Sequence, residues 1–166
     1  MFYLDLFSGL QKHEVKYLVI GGIAINLHGV ERATMDVDLV LAMDEGNLQR
    51  FLQAATELKL KPLLPVQLES LGDARLIDDW VRERHLIAFS LRPPSNTAPS
   101  IDIVVRPKLP FEVMYQNRLE KDVGGVRLNV ASIDDLIALK TDTGRTQDAS
   151  DIVALSKVKQ VVAKGE

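Results

Sequence analysis

Apolar residues recur at positions 2, 3, 4, 6, 7 and 10, a spacing that predicts a short amphipathic helix over 2–13. Tyr17 to Ile20 is a brief apolar run that predicts a strand, ended by Gly21 and Gly22. Ile23 to His28 reads as a short helix, with Gly29 at the usual C-terminal stop. A loop with Arg32 and Thr34 leads into a second strand, Asp36 to Met43. That strand is mostly apolar beyond its two acids, so it is expected in the middle of a sheet. Leu48, Phe51, Leu52, Ala55 and Leu58 share one face of a helix expected over 45–60. The stretch 61–72 holds two prolines and has no clear period.

Asp73 is placed to cap a helix running to about Glu83, with Leu76, Ile77, Trp80 and Val81 as its apolar side. Leu86 to Leu91 and Ile101 to Val105 read as strands. The Pro-rich segment between them is the strongest loop signal in the chain, so the two are expected to form an antiparallel pair. Pro110 to Asn117 predicts a short helix with proline in its first turn. Val126 to Val130 predicts a strand after the Gly124-Gly125 turn. Ser132 opens a capping-box-like Ser-Ile-Asp-Asp, and its helix is expected to reach about Gly144. A last helix covers 148–162, with Ile152, Val153, Leu155 and Val158 facing inward. The mixture of elements, with a hairpin inside the sheet, gives the fold class α/β (α+β): a mixed β-sheet with flanking helices. No repeat or composition shift divides the sequence, and a single domain over 1–166 is expected.

Composition narrows the chemistry. The 166 residues contain no cysteine, which removes disulfides and thiolate catalysis. The three histidines have no zinc-ligand spacing. A net charge of -3 argues against a surface built to coat nucleic acid. No apolar run approaches the length of a membrane span, and the first residues lack the basic region of a signal peptide. A soluble cytoplasmic protein is expected, with no membrane partner.

What remains is acidic chemistry. Asp36 and Asp38 lie two apart, so in a strand both point to one side, about 6–7 Å from each other. An unpaired carboxylate beside a buried strand is costly, so a cation or a basic partner is expected. Asp102 repeats the situation on another strand, between Ile101 and Ile103. Three carboxylates from neighbouring strands would make an oxygen site for Mg²⁺ or Mn²⁺. Gly21 and Gly22 would let a backbone approach a phosphate closely.

Phosphatases of the haloacid dehalogenase type also use Asp-x-Asp, but after an apolar strand. Here the apolar run follows the acids, so the order is wrong. A sugar-nucleotide glycosyltransferase would need a larger fold than this length allows.

The arrangement Gly21-Gly22, then Arg32-x-Thr34-x-Asp36-x-Asp38, with Asp102 later, resembles the DNA polymerase β-like nucleotidyltransferase superfamily. Lys140 followed by Arg145, Asp148 and Asp151 is similar to the small bacterial and archaeal branch that includes AbiEii-type toxins. The resemblance covers about a third of the chain. It departs from many active members in having Gly-Gly where they have Gly-Ser. It implies a polymerase β-like fold and Mg²⁺-dependent transfer of an NMP from an NTP to a hydroxyl. Asp36 and Asp38 would then hold two ions and Asp102 one of them. Asp102 would also help deprotonate the acceptor. Gly21 and Gly22 would cradle phosphates, and Arg32 would meet the triphosphate or orient Asp36. Thr34 would support the loop. Lys140 would neutralise phosphate charge, with Asp148 orienting Lys140 or Arg145. Partners implied are an NTP, a hydroxyl acceptor (RNA, protein or small molecule) and, for a toxin, an antitoxin. The alternative is an inactive nucleotide- or metal-binding module of a two-component complex.

Overall fold

The apolar runs identified above become strands, and the helical periods become helices packed against them. The strands are β1 (Tyr17–Ile20), β2 (Val37–Leu41), β3 (Lys61–Pro62), β4 (Ala88–Arg92), β5 (Ile101–Val104), β6 (Leu119–Val123) and β7 (Val126–Val130). The helices are α1 (Phe2–Lys12), α2 (Gly21–Leu27), α3 (Glu45–Glu57), α4 (Ala74–Arg84), α5 (Phe111–Gln116), α6 (Ile133–Lys140) and α7 (Thr146–Lys164). A 3-10 turn, Leu68–Gly72, precedes α4. This computed structural model describes residues 2–95 and 97–165. Asn96, part of the expected Pro-rich loop, lies outside the described residues, as do Met1 and Glu166.

One seven-stranded mixed sheet runs β3-β4-β5-β2-β1-β7-β6. β1 is antiparallel to β2 and parallel to β7, while β2 is parallel to β5. The expected antiparallel pair β4–β5 is present, with Ser90 opposite Asp102 and Ala88 opposite Val104. β2 is central, as its apolar run requires: Val37, Leu39 and Val40 are fully buried. Alternation sorts the outer strands into two faces. Phe89, Leu91, Ile101 and Ile103 are buried in the core, while Ala88, Ser90, Asp102 and Val104 on the other face are only partly covered.

Caps fall where the sequence places them. Asp73 accepts a hydrogen bond from the amide of Leu76, and Ser132 Oγ accepts one from the amide of Asp135. α3 buries Leu48, Phe51, Leu52 and Ala55. Leu48, Phe51 and Leu52 each contribute about 1.5–3 kcal/mol by leaving water, and the methyl of Ala55 less.

Four expectations need correction. Gly21 and Gly22 form the first turn of α2 rather than a turn before it. β6 was not expected; its sequence Leu-Glu-Lys-Asp-Val alternates charge because it is an exposed edge strand paired only with β7. The helix begun by Ser132 stops at Lys140, since Thr141 is extended and Asp142 adopts a left-handed φ of 59°. In α7, Val153 is exposed, and Asp148 and Asp151 take inward places beside Leu155. Those acids turn inward because cations wait for them there.

Candidate active site

β1 ends at Ile20, and the chain enters α2 through Gly21, whose φ is +68°. A side chain there would be strained, and its Cβ would land on the Asp38 carboxylate. At Gly22 a Cβ would collide with the Arg32 guanidinium and with Thr34. The space cleared by the two glycines is therefore taken by Asp38, Arg32 and Thr34. This packing accounts for glycine at both positions without a ligand.

Asp36 stands just before β2 and Asp38 within it. Asp102 is the register partner of Asp38 on parallel β5. Adjacent strands lie about 4.8 Å apart, so the two acids are immediate neighbours on one face. Among the described residues, no side-chain hydrogen bond or ion pair engages Asp36, Asp38 or Asp102. Burial, with the nearby charges of Asp102 and Asp36, pushes the Asp38 carboxyl up to about 6. Lys140 and Arg32 pull the other way without cancelling that effect.

Those two cations belong to a second cluster, built on α6, α7 and the loop before β2. Asp151 is 3% exposed, and its carboxylate pairs with Arg32 Nε at 2.9 Å and with Lys140 Nζ at 3.0 Å. Gln147 Nε2 donates to Asp151 at 2.9 Å. Asp148 pairs with Lys140 Nζ at 3.1 Å and accepts from Thr143 Oγ1 at 2.7 Å. Arg145, largely exposed, reaches Asp148 at 3.5 Å. Burial alone would raise the Asp148 carboxyl. The hydrogen bonds from Thr143 and Lys140, and the charges of Lys140 and Arg145, hold it below its ordinary value instead.

Of the eleven motif residues singled out in the sequence, all but the buried Asp151 line one cleft of about 620 Å³: Gly21, Gly22, Arg32, Thr34, Asp36, Asp38, Asp102, Lys140, Arg145 and Asp148. A wider and more open hollow of about 860 Å³, between α3 and α4, contains none of them. The cleft has an acidic floor of three unpaired carboxylates and a cationic wall from Arg32, Lys140 and Arg145. Asp151, the hub of that wall, was seen in sequence only as part of a spacing pattern. Its signal is there: Asp148 and Asp151 are three apart on a helix and share a face. The Arg32 side chain is aimed at Asp151, not at Asp36. Thr143 and Gln147 carried no sequence signal.

No group of three or more His, Cys, Asp or Glu side chains among the described residues stands assembled to ligate a metal ion. The donor set nonetheless fits a hard divalent cation. It is all carboxylate oxygen, it has no competing basic partner, and it holds one carboxyl whose charged form is disfavoured.

Solved structures share this architecture. A nucleotidyltransferase-like antigen of Paracoccidioides brasiliensis matches with a TM-score of 0.55 at 20% identity, covering 92% of this chain and 72% of that one. The lincosamide antibiotic adenylyltransferase LnuA, bound to lincomycin, matches at 0.56 and 16%, covering 95% and 94%. ANT(2'')-Ia, in complex with adenylyl-2''-tobramycin, matches at 0.54 and 13%, covering 96% and 92%. At such identities the likeness is one of fold. No curated protein sequence matches the chain. The model of a family described as a nucleotidyltransferase of unknown function, DUF6036, spans residues 4–163, nearly the whole chain. The protein, with its mixed seven-stranded sheet and its acidic cleft, belongs to that nucleotidyltransferase family.

Proposed function

We propose that the protein moves a nucleoside monophosphate from an NTP to a hydroxyl group, using Mg²⁺ or Mn²⁺ held by Asp36, Asp38 and Asp102. The observation that carries this reading is the pairing of three partnerless carboxylates with a wall of cations across one cleft. When bound, the divalent ions would polarise the α-phosphoryl group and offset the charge of the leaving pyrophosphate. The rest falls to the chain. The acceptor oxygen bonds to the α-phosphorus as the bond from that phosphorus to its bridging oxygen breaks. Asp102, on the far side of Asp38 from Gly21, takes the hydroxyl proton on a carboxylate oxygen. Pyrophosphate departs toward Arg32, Lys140 and Arg145. Asp148 and Asp151 hold Lys140 between them and so fix the position of its ammonium group at the cleft wall. Gly21, Gly22 and Thr34 border the phosphate end.

The acceptor is taken to be a small molecule. Lincomycin and adenylyl-2''-tobramycin in the similar structures favour that choice. The test is incubation with α-labelled NTP, Mg²⁺ and a mixture of small hydroxylated compounds and bulk tRNA. Labelled acceptor is expected, and Asp36→Ala should cut its formation at least about a hundredfold. Tight NTP binding with no transfer to any acceptor would favour the inactive-module alternative. Growth arrest on expression, relieved by Asp36→Ala, would extend the same chemistry to a toxin with an antitoxin partner.

A further inference from the structure

The sheet face that bears Asp38 and Asp102 continues outward past Asp102. Register places Ser90 of β4 opposite Asp102, and the amide of Leu63 donates to the carbonyl of Ser90. Asp38, Asp102, Ser90 and Leu63 thus form one row across four chain segments. Two residues along each outer strand lie Arg92 and Lys61, which are themselves register partners. Alternation puts both on the face of Asp102. That face is open here: Arg92 and Lys61 are exposed, while the intervening Leu91 is fully buried on the other side.

Two like charges directly opposite in an antiparallel pair repel each other. Among the described residues, neither has an ion-pair or side-chain hydrogen-bond partner. A charge that only blocks further strand addition at a sheet edge needs Lys61 alone. It gives no reason for Arg92 to face it. Strand spacing puts the Cα atoms of Arg92 and Lys61 about 8 Å and about 12 Å from that of Asp102. Lys61 and Arg92 lie outside the lining of the cleft, toward the start of β5, and the cations that line the cleft past the end of β5 are already engaged. Arg106 is paired with Asp78 and donates to the carbonyl of Val105; Lys108 donates to the carbonyls of Ala138 and Thr141.

We infer that Lys61 and Arg92 form an anion subsite for the acceptor. The acceptor is a small hydroxylated molecule bearing one phosphate or carboxylate, with its hydroxyl at Asp102 and its anion between Lys61 and Arg92. The hydroxyl end of this inference rests on the nucleotidyl-transfer reading; the anion end stands on the sheet geometry alone. A nucleic acid would need a longer cationic track, and the chain is acidic overall.

The test has two arms, both on the full chain. The first is an amide NMR titration with inorganic phosphate and, separately, acetate, against chloride at matched ionic strength. Saturable shifts are expected at residues 61–63 and 90–92 and should vanish in the Lys61→Ala/Arg92→Ala double variant. Shifts confined to 21–34 and 140–148, or unchanged in the double variant, would overturn the subsite. The second arm offers glycerol, glycerate and glycerol 3-phosphate as acceptors for α-labelled NTP. Label should favour an anionic member by about tenfold, and the double variant should lose that preference while its affinity for Mn²⁺·NTP stays within about twofold. Equal labelling of glycerol, or preferred labelling of added tRNA, would overturn the acceptor class. Intact shifts at 61 and 92 with no acceptor labelled would support the anion site and count against the transfer reading.

Discussion

Asp38 is the residue on which the proposed chemistry and the stability of the protein conflict. Its carboxyl rises from 3.8 to about 6 because burial and two neighbouring acids disfavour the charge. Between those two values the folded state binds more protons than the unfolded state. Stability from this group therefore falls as pH rises through that window, and the cost is fully present above it. The shift corresponds to a penalty on the order of 2–3 kcal/mol at pH 7. Asp38→Asn should accordingly be more stable than the wild type at pH 7 by about that amount, and equal to it near pH 4, in urea unfolding at the two pH values. The same variant should lose transfer. On the proposed function, a divalent ion must also displace the Asp38 proton, so affinity for Mn²⁺, read by calorimetry, should weaken as pH falls below about 6. The acids were legible one by one, because a carboxylate beside an apolar run is conspicuous in any sequence. The environment that tunes Asp38 was not legible, since it depends on Gly21 and Asp102, which are 17 positions before and 64 positions after it in the chain.

At the scale of elements, α6, α7 and the loop before β2 are joined by buried charge. Asp151 sits between Arg32 and Lys140, and Asp148 closes the other side of Lys140. Removing one partner of such a cluster leaves charge buried without compensation, which costs about 3–5 kcal/mol. Asp151→Ala should lose stability in that range by urea unfolding. Because it frees both Arg32 and Lys140, it should also raise KM for the NTP. Asp151→Asn keeps a polar group for Gln147 and Lys140 and should lose less. From the sequence, Ile152, Val153, Leu155 and Val158 are expected to form the inward face of α7, and Asp148 and Asp151 are part of a spacing pattern only. Val153 lost its place to the acids because a pair of cations, one of them from a loop over a hundred residues earlier, outweighs one aliphatic contact. β6 escaped notice for a related reason. Its charged pattern suits an edge strand with one partner, and such a pattern is indistinguishable locally from a loop.

In the whole molecule, the acidic floor of the cleft is assembled from β2 and β5, with the end of β1 beside them, and its wall from α6, α7 and the loop before β2. Ligand binding should therefore stabilise the entire fold. With Mn²⁺·NTP at about 100 times its dissociation constant, the gain is about 2.7 kcal/mol, or roughly 5–10 °C in Tm for a chain of this size. A shift of that size is expected in the wild type by thermal unfolding. No shift with Mn²⁺ and NTP together would remove the basis for the proposed activity. No described helix is long and apolar enough to cross a membrane. By itself, the sequence determined most of the stretches that become strands and helices, β3 and β6 excepted, where two of the helices are capped, and which acids stand beside apolar strands. These follow from periodicity and side-chain chemistry within a few residues. Only the tertiary structure decided that β5 lies parallel beside β2 with Asp102 level with Asp38, that Arg32 turns to Asp151, and that Lys61 faces Arg92 on an open face. Each of these is a question of register or partner between distant segments. Register is set by the packing of the whole sheet, which no local pattern encodes.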